Sequence, residues 1–425
     1  ATWAGGVQAT LAAFGVSNNN RDLHSSTVDP QFTLPLTEAL PTYRGSMNCP
    51  RNIYTQKDID HQNRDTITYK GAYCPVFDLD ASLTGFITPN TPYVSLGDTV
   101  HVEVNLLSLG YDTVRSVTIQ WEIDGVLQTP INLTGLSLGR SKSMNVVLGS
   151  FVPTVSSNYT YINAWCENPN NLTDRNLGND TVVKSLLVCG QPLMGTYRVG
   201  SSALADFANL DEVSTLLRYC GINGPVTLNL EAGVYSPVTF YPITGSSFGN
   251  VVTLTSLSGN PASVTILTTG STSPITLQGV ANMYIRNITL DASTSPTVAL
   301  RLAGLISNVD VYNCVLKAMP RSSSNTTACV YYNNASGTGY KLDRVRFRNN
   351  SMDGGYYNMY LYYTGSGSGT NMGEVVIDSN TLTNAYYYGI YSYYYGYYPS
   401  ISYNTITLAN GASTSYGMYL YYYHT

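Results

Sequence analysis

Three stretches decide how this chain folds: YNMYLYYTG (357–365), YGIYSYYYG (388–396) and YGMYLYYYH (416–424). Each alone looks like low-complexity sequence, with nine tyrosines between Tyr386 and Tyr398. Laid over one another, they are in register. Tyr recurs at 357/388/416, 360/391/419, 362/393/421 and 363/394/422. Met359, Ile390 and Met418 fill one column, and Leu361, Ser392 and Leu420 the next alternate one. Strand side chains alternate between faces, so those two columns share a face. Tyr360/Tyr391/Tyr419 and Tyr362/Tyr393/Tyr421 share the other. Outside is the expected face for the tyrosines, because their hydroxyls stay wet there while their rings stack from strand to strand.

A second element repeats beside the first: MYIRNITLD, VDVYNCVLK, VRFRNNSMD, VVIDSNTLT and PSISYNTIT. Aligned on Ile285, Val311, Phe347, Ile377 and Ile401, these carry apolar residues five positions on, at Leu290, Leu316, Met352, Leu382 and Ile406. The column between them reads Ile288, Cys314, Asn350, Asn380, Asn404. Successive anchors are 26, 36, 30 and 24 residues apart. A strand-rich period of that size with in-register columns predicts a parallel β-solenoid, whose turns stack about 4.8 Å apart. The expected fold is therefore all-β, with a right-handed parallel β-helix over 189–425. DFANLDEVSTLLRYCG (206–221) places Phe207, Leu210, Val213 and Leu217 at helical spacing. Asn209 and Glu212 form a capping-box pattern and Gly221 a stop signal, which predicts a short helix over the open end of the coil. GPVTLNLEAGVY (224–235) is the expected first turn.

Residues 76–188 have a different grammar. DTVHVEVNL and VTIQWEI alternate, Asp124-Gly125 is a hairpin signal, and NYTYINAWC supplies another strand. About 110 residues of such strands predict an immunoglobulin-like β-sandwich.

Only 11% of the 425 residues are charged, against about 25% in an average soluble protein. Ser, Thr, Asn, Gly and Tyr must make most of the wet surface. A net charge of -5 gives no footprint for nucleic acid or anionic lipid. No run approaches the roughly 18 apolar residues of a membrane span. Seven cysteines leave at least one without an intrachain partner, and no CxxC is present. Cys49 with Cys74 and Cys189 with Cys220 are the expected disulfides, which implies an oxidising compartment. Cys166 lies on the face of Ile162 and Ala164 and reads as a buried thiol. The sequence opens ATWAGG and ends MYLYYYHT in mid-pattern, as expected of a segment of a longer chain.

Two further stretches carry a family resemblance. NNNRDLHSSTVDPQF (18–32) and DIDHQNRDTITYKGAY (58–73) are similar to the closing segment of secreted β-helix modules in Bacteroidota surface proteins. Asp58, Ile59, Asp60, Arg64, Gly71 and Ala72 match that pattern, while His61 replaces a glycine and Tyr73-Cys74 end it differently. GTYRVGSSALADFANLDEV (195–213), continuing through CGINGPVTLNLEAGVY (220–235), resembles the opening of such a module. The middle segment resembles the adhesion-type immunoglobulin-like domains between them. The resemblance implies that 1–75 close a preceding β-helix module. It also implies a large exported protein, of the kind carried by type IX secretion, without enzyme activity.

The chemistry-bearing residues are sparse. A glycosidase needs two carboxylates about 5–9.5 Å apart, and the last module is poor in acids. Its dense charge is KLDRVRFRNNSMD, where Arg344, Arg346 and Arg348 face outward. Register sets Arg346 beside Asp310 and Arg348 beside Asp378, so cross-strand ion pairs are expected rather than a catalytic cluster. His24, His61, His101 and His424 have no metal-ligand spacing and read as surface or turn residues. The loop NPNNLTDRNLGND (168–180) offers Asp174, Asn176 and Asp180 to calcium, although such loops are ordinarily turns. No metal or cofactor is assigned. Asp-Thr before a β-branched residue resembles the O-glycosylation motif of Bacteroidota and would place sugars on Thr66, Thr99, Thr113 and Thr181. DTV is equally ordinary strand sequence. The leading expectation is a structural or adhesive segment of an extracellular cell-surface or filament protein, with other copies or glycans as partners. The alternatives are a carbohydrate-binding module using the Tyr ladders, then a β-helix polysaccharide lyase or hydrolase.

Overall fold

The computed structural model describes residues 79–421 apart from 156–158, 175, 335–340, 364–372, 394–396 and 410–413, together with short strands before residue 70. Those early strands form two antiparallel pairs, Thr2–Trp3 with Gly6–Val7 and Asn48–Pro50 with Ile67–Tyr69. The expected module end at 1–75 otherwise lies outside the described residues. The described chain is all-β with long parallel sheets and one α-helix. It divides into two compact units, one of residues 1–91, 99–151 and 160–185, the other of 92–98, 152–159 and 186–425.

The first unit is built on antiparallel pairing. Val114–Ile123 lies between Ile131–Leu138 and Tyr159–Glu167, and Val100–Ser108 lies between Ala81–Thr88 and Ser143–Phe151. The alternation read from sequence buries Val102, Val104 and Leu106 on one strand and Val117, Ile119 and Trp121 on another. Asp124 and Gly125 both take positive φ, 50° and 78°, the mirror-image turn that matches strand twist. Gly149 is fixed by contact: a Cβ there would stand 2.9 Å from the Trp121 ring.

The second unit holds three parallel sheets of eight, seven and seven strands. From Ile222 onward the chain visits them in a fixed rotation: Ile222–Leu230, Gly233–Tyr235 and Val238–Phe240, then Val252–Ser256, Val264–Leu267 and Ile275–Gln278, and so on to Tyr416–Tyr421. The anchors pair as aligned, Ile285 to Val311 to Phe347 to Ile377 to Ile401. The second column pairs from Leu290 to Ile406. One strand had no counterpart in the sequence reading. Leu193–Val199 pairs in parallel with Ile222–Leu230, so the first sheet begins before the helix. The helix Leu210–Tyr219 has Asn209 as its N-cap, accepting from the Glu212 amide at 2.9 Å, and it buries Leu210, Val213, Leu216 and Leu217 in the core of this unit.

Two asparagine columns organise the corner between the first and second sheets. Inside, Asn350 and Asn380 are almost fully buried. The Asn380 carboxamide oxygen accepts from the Asn350 backbone and side chain, both at 3.0 Å. Asn380 Nδ2 donates to the Phe347 carbonyl and to Asn404 Oδ1, each at 2.9 Å. At the bend itself, Asn287, Asn313, Asn349, Ser379 and Tyr403 all lie in the left-handed region, with φ between 50° and 56°. Asn adopts that conformation more cheaply than other non-glycine residues. Each stands two positions after its anchor, and the step from first to second sheet is five residues in each of the five rounds from Ile285 onward, after longer steps in the two rounds before (Leu228 to Tyr235 and Leu254 to Ile266).

Candidate interaction surface

The third sheet carries the tyrosines. Its register aligns Tyr331, Tyr360, Tyr391 and Tyr419, and beside them Tyr362, Tyr393 and Tyr421. On the opposite face Met359, Leu361 and Ile390 are fully buried. Met418 keeps the register but is 50% exposed, since its strand is the last among the described residues. Ser392 occupies the inward column and shares a 2.6 Å hydrogen bond with the Tyr398 hydroxyl.

Along the columns the rings are stacked. Centroids are 4.7 Å apart for Tyr331–Tyr360, 5.2 Å for Tyr360–Tyr391 and 5.5 Å for Tyr391–Tyr419, with planes within 9°. Tyr362–Tyr393 and Tyr393–Tyr421 stand at 5.4 and 4.8 Å. A further column, Tyr357–Tyr388–Tyr416, belongs to the same strip, with spacings of 5.3 and 5.4 Å. Simple alternation would have put it on the face of Met359. The register runs unbroken through these residues, and the side chain of buried Asn358 donates to the Gly354 and Thr383 carbonyls. Tyr357 stands edge-on against Tyr360 at 63°, an arrangement repeated by Tyr388–Tyr391 and Tyr416–Tyr419, where the next residue is Gly389 or Gly417. Arg301 covers the foot of one column, 5.2 Å from the Tyr331 centroid.

This geometry fixes what the strip offers chemically. Ring faces are turned toward neighbouring rings, so edges and hydroxyls are what a partner meets. Sugar-ring stacking needs a free aromatic face, and within the columns the neighbouring rings occupy the faces. The rings also half-bury one another. Burial first, and neighbouring phenols second, push Tyr388 up to about 12 and raise Tyr360 and Tyr391 as well. Tyr360, Tyr388 and Tyr391 therefore stay neutral at any physiological pH.

The outer face of the first sheet holds the charged cluster. Arg346 and Arg348 register with Asp310 and Asp378 as aligned. The pairing differs from that register. Arg348 reaches diagonally to Asp310, with contacts of 2.8, 3.0 and 3.1 Å, and Arg286 adds one at 3.4 Å. Asp378 instead accepts from Ser400 and Ser402. Asp310 is only 2% exposed, and the Arg348 guanidinium meets both of its carboxylate oxygens, the charge-assisted pairing a buried carboxylate requires.

Cys189 and Cys220 are bridged, with Cα atoms 5.2 Å apart. Cys166, Cys314 and Cys329 are free and buried. The Cys49–Cys74 pairing lies outside the described residues, as do Thr66, His24, His61 and His424. Thr99, Thr181 and His101 are exposed and Thr113 is half-buried. Asp174 and Asp180 are buried rather than displayed on a surface turn. No helix among the described residues is long and apolar enough to cross a membrane.

No protein-family model and no curated protein matches the chain. Among solved structures, the crystal structure of the CARDB domain of the PF1109 protein from Pyrococcus furiosus is 22% identical, with a TM-score of 0.23, covering 27% of this chain and 97% of that one. A solution NMR structure of the same domain is 23% identical, with a TM-score of 0.22 and the same coverage. Likenesses this distant carry no argument about function.

Proposed function

We propose that this chain is a non-enzymatic structural and adhesive segment of a large extracellular surface or filament protein. In this reading residues 189–425 form a closed right-handed β-helix capped by the helix Leu210–Tyr219. They follow an immunoglobulin-like sandwich at 76–188 and a preceding module end at 1–75. The observation that carries it is the tyrosine strip: uncharged, ordered and repeated at the spacing of the strands. A second copy of the same coil presents hydroxyl rows at that same repeat, so two strips match rung for rung. The disulfide fits an oxidising compartment. The resemblance to Bacteroidota surface proteins supports export by type IX secretion.

A glycan held by the hydroxyl rows, through hydrogen bonds rather than ring stacking, is the second reading. Tyr391→Ser with Tyr393→Ser removes the middle of two columns. The double variant should keep its far-UV circular dichroism yet lose self-association by sedimentation velocity. Loss of retention on a glycan array with self-association intact selects the second reading. If both are unchanged in the folded variant, the strip is not an interaction surface. Turnover of any polysaccharide in a broad screen, abolished by one acidic substitution, would overturn the non-enzymatic assignment.

A further inference from the structure

The first unit contains a buried acidic cluster whose hydrogen-bond donors among the described residues are all neutral. Asp80, Asp174 and Asp180 are all buried. Asn176 ties two of them together: its amide N–H donates to Asp174 Oδ1 at 2.9 Å and its Nδ2 to Asp80 Oδ2 at 3.1 Å. Asn179 Nδ2 donates to Asp80 Oδ1 at 3.1 Å, and the Ala81 amide to Asp174 Oδ2 at 2.8 Å. Every one of these donors is neutral, and no Lys or Arg among the described residues forms an ion pair with any of the three carboxylates.

A separate observation points to a missing positive partner. Asp180 is 4% exposed, yet its Oδ1 has no hydrogen-bond partner, and neither has the buried Oδ1 of Asn179. Both orphans are acceptors, and the four hydrogen bonds above serve only Asp80 and Asp174. Leaving a carboxylate oxygen desolvated and unpaired is among the costliest arrangements a fold can keep. A cation held between the carboxylates offsets their mutual repulsion.

We propose that Asp80, Asp174, Asp180 and the Asn179 amide oxygen form a binding site for a hard divalent cation of the Ca²⁺ class. Among the described residues no three carboxylate, thiol or imidazole side chains are gathered into a ready-made metal cage. The donor set here mixes carboxylate with amide oxygens, which hard cations accept and for which calcium's variable coordination is suited. The amides of Asn176 and Asn179 can exchange oxygen for nitrogen by a half-turn, which would add carbonyl donors toward the cation.

All three tryptophans, Trp3, Trp121 and Trp165, belong to the first unit, so tryptophan fluorescence reports its unfolding alone. The full chain, stripped with EDTA and dialysed, is titrated with CaCl₂ by calorimetry and melted with and without CaCl₂. Saturable binding at a single site and a higher melting temperature of the fluorescence transition are expected. Asp180→Asn should weaken CaCl₂ binding by on the order of tenfold or more, while the stripped variant melts no lower than the stripped parent. Arg175 of the same loop lies outside the described residues, and Arg175→Gln controls for a counter-charge from the chain itself. No calorimetric binding, an Asp180→Asn variant that titrates like the parent, or an Arg175→Gln loss of stability that CaCl₂ leaves unchanged would each overturn the proposal.

Discussion

Replacing Asn380 by Ala tests whether the inner asparagine column holds the corner between the first two sheets. Asn380 is 1% exposed and serves three neighbours at once. Its oxygen accepts from the Asn350 amide, and its Nδ2 donates to the Phe347 carbonyl. Alanine leaves the Asn350 amide buried without a partner and removes a side-chain donor from the Phe347 carbonyl, which stays in the strand ladder, whereas Asn350 Nδ2 still has the Val311 carbonyl at 2.9 Å. One orphaned group at about 1–3 kcal/mol and one lost hydrogen bond at about 1 kcal/mol give an expected loss of about 3 kcal/mol. Asn404→Ala removes the same kinds of bond at a half-buried position where water can substitute, so about 1–2 kcal/mol is expected there. Urea unfolding followed by far-UV circular dichroism measures both, with tryptophan fluorescence as an internal control for the first unit. A loss below about 1 kcal/mol for Asn380→Ala, or equal losses for the two variants, would refute the reasoning.

Three further outcomes are expected. Tyr403 is 88% exposed and sits at φ 55° in a column whose first three rounds have Asn, so Tyr403→Asn should stabilise the second unit by about 1 kcal/mol in the same urea assay. Reducing the Cys189–Cys220 bridge, which closes a separation of 31 residues, should cost about 3–4 kcal/mol, read as a lower urea midpoint with dithiothreitol; an unchanged midpoint contradicts it. Tyr388, Tyr360 and Tyr391 are raised in the folded state, so their contribution is complete below the ordinary phenol range and is lost as pH climbs, for Tyr388 through about 12. Absorbance at the phenolate band should show these three phenols ionising later in the folded protein than in urea.

The sequence carried the second unit because its repeat is written twice, once in tyrosines and once in anchors five residues apart. Identical residues stacked in register announce themselves by simple alignment, which is why Tyr360, Tyr391 and Tyr419 could be placed on one column. Strict alternation puts Tyr357 on the face of Met359, whereas its ring stacks with Tyr388 and packs against Tyr360, a ring orientation that no periodicity reports. The Arg348–Asp310 pair was missed because register names the directly opposite residue, while a long guanidinium reaches diagonally. The left-handed corner residues were legible in principle: an Asn follows three anchors at the same offset, and only Ser379 and Tyr403 obscure the pattern. Asp80 escaped attention altogether. It lies more than ninety residues from the loop it meets, and no local pattern reports a contact of that range.

The corner has a consequence for what the coil tolerates. From Ile285 onward its step is five residues in each of five rounds, whereas in the same rounds the step from second to third sheet runs from seven residues (Met352 to Met359) to fourteen (Leu316 to Val330). The return to the first sheet ranges from eleven (Ile390 to Ile401) to eighteen (Met359 to Ile377). Over these rounds the scaffold has one joint of fixed length and two that stretch. A foreign peptide grafted between Lys317 and Ala328 enters a segment whose length already varies, and it should be displayed without disturbing the strands on either side. The same graft between Phe347 and Met352 would displace the left-handed Asn349 and the buried Asn350 carboxamide. As a display platform, the rounds from Ile285 onward can be decorated where the step length varies, and not at the five-residue corner.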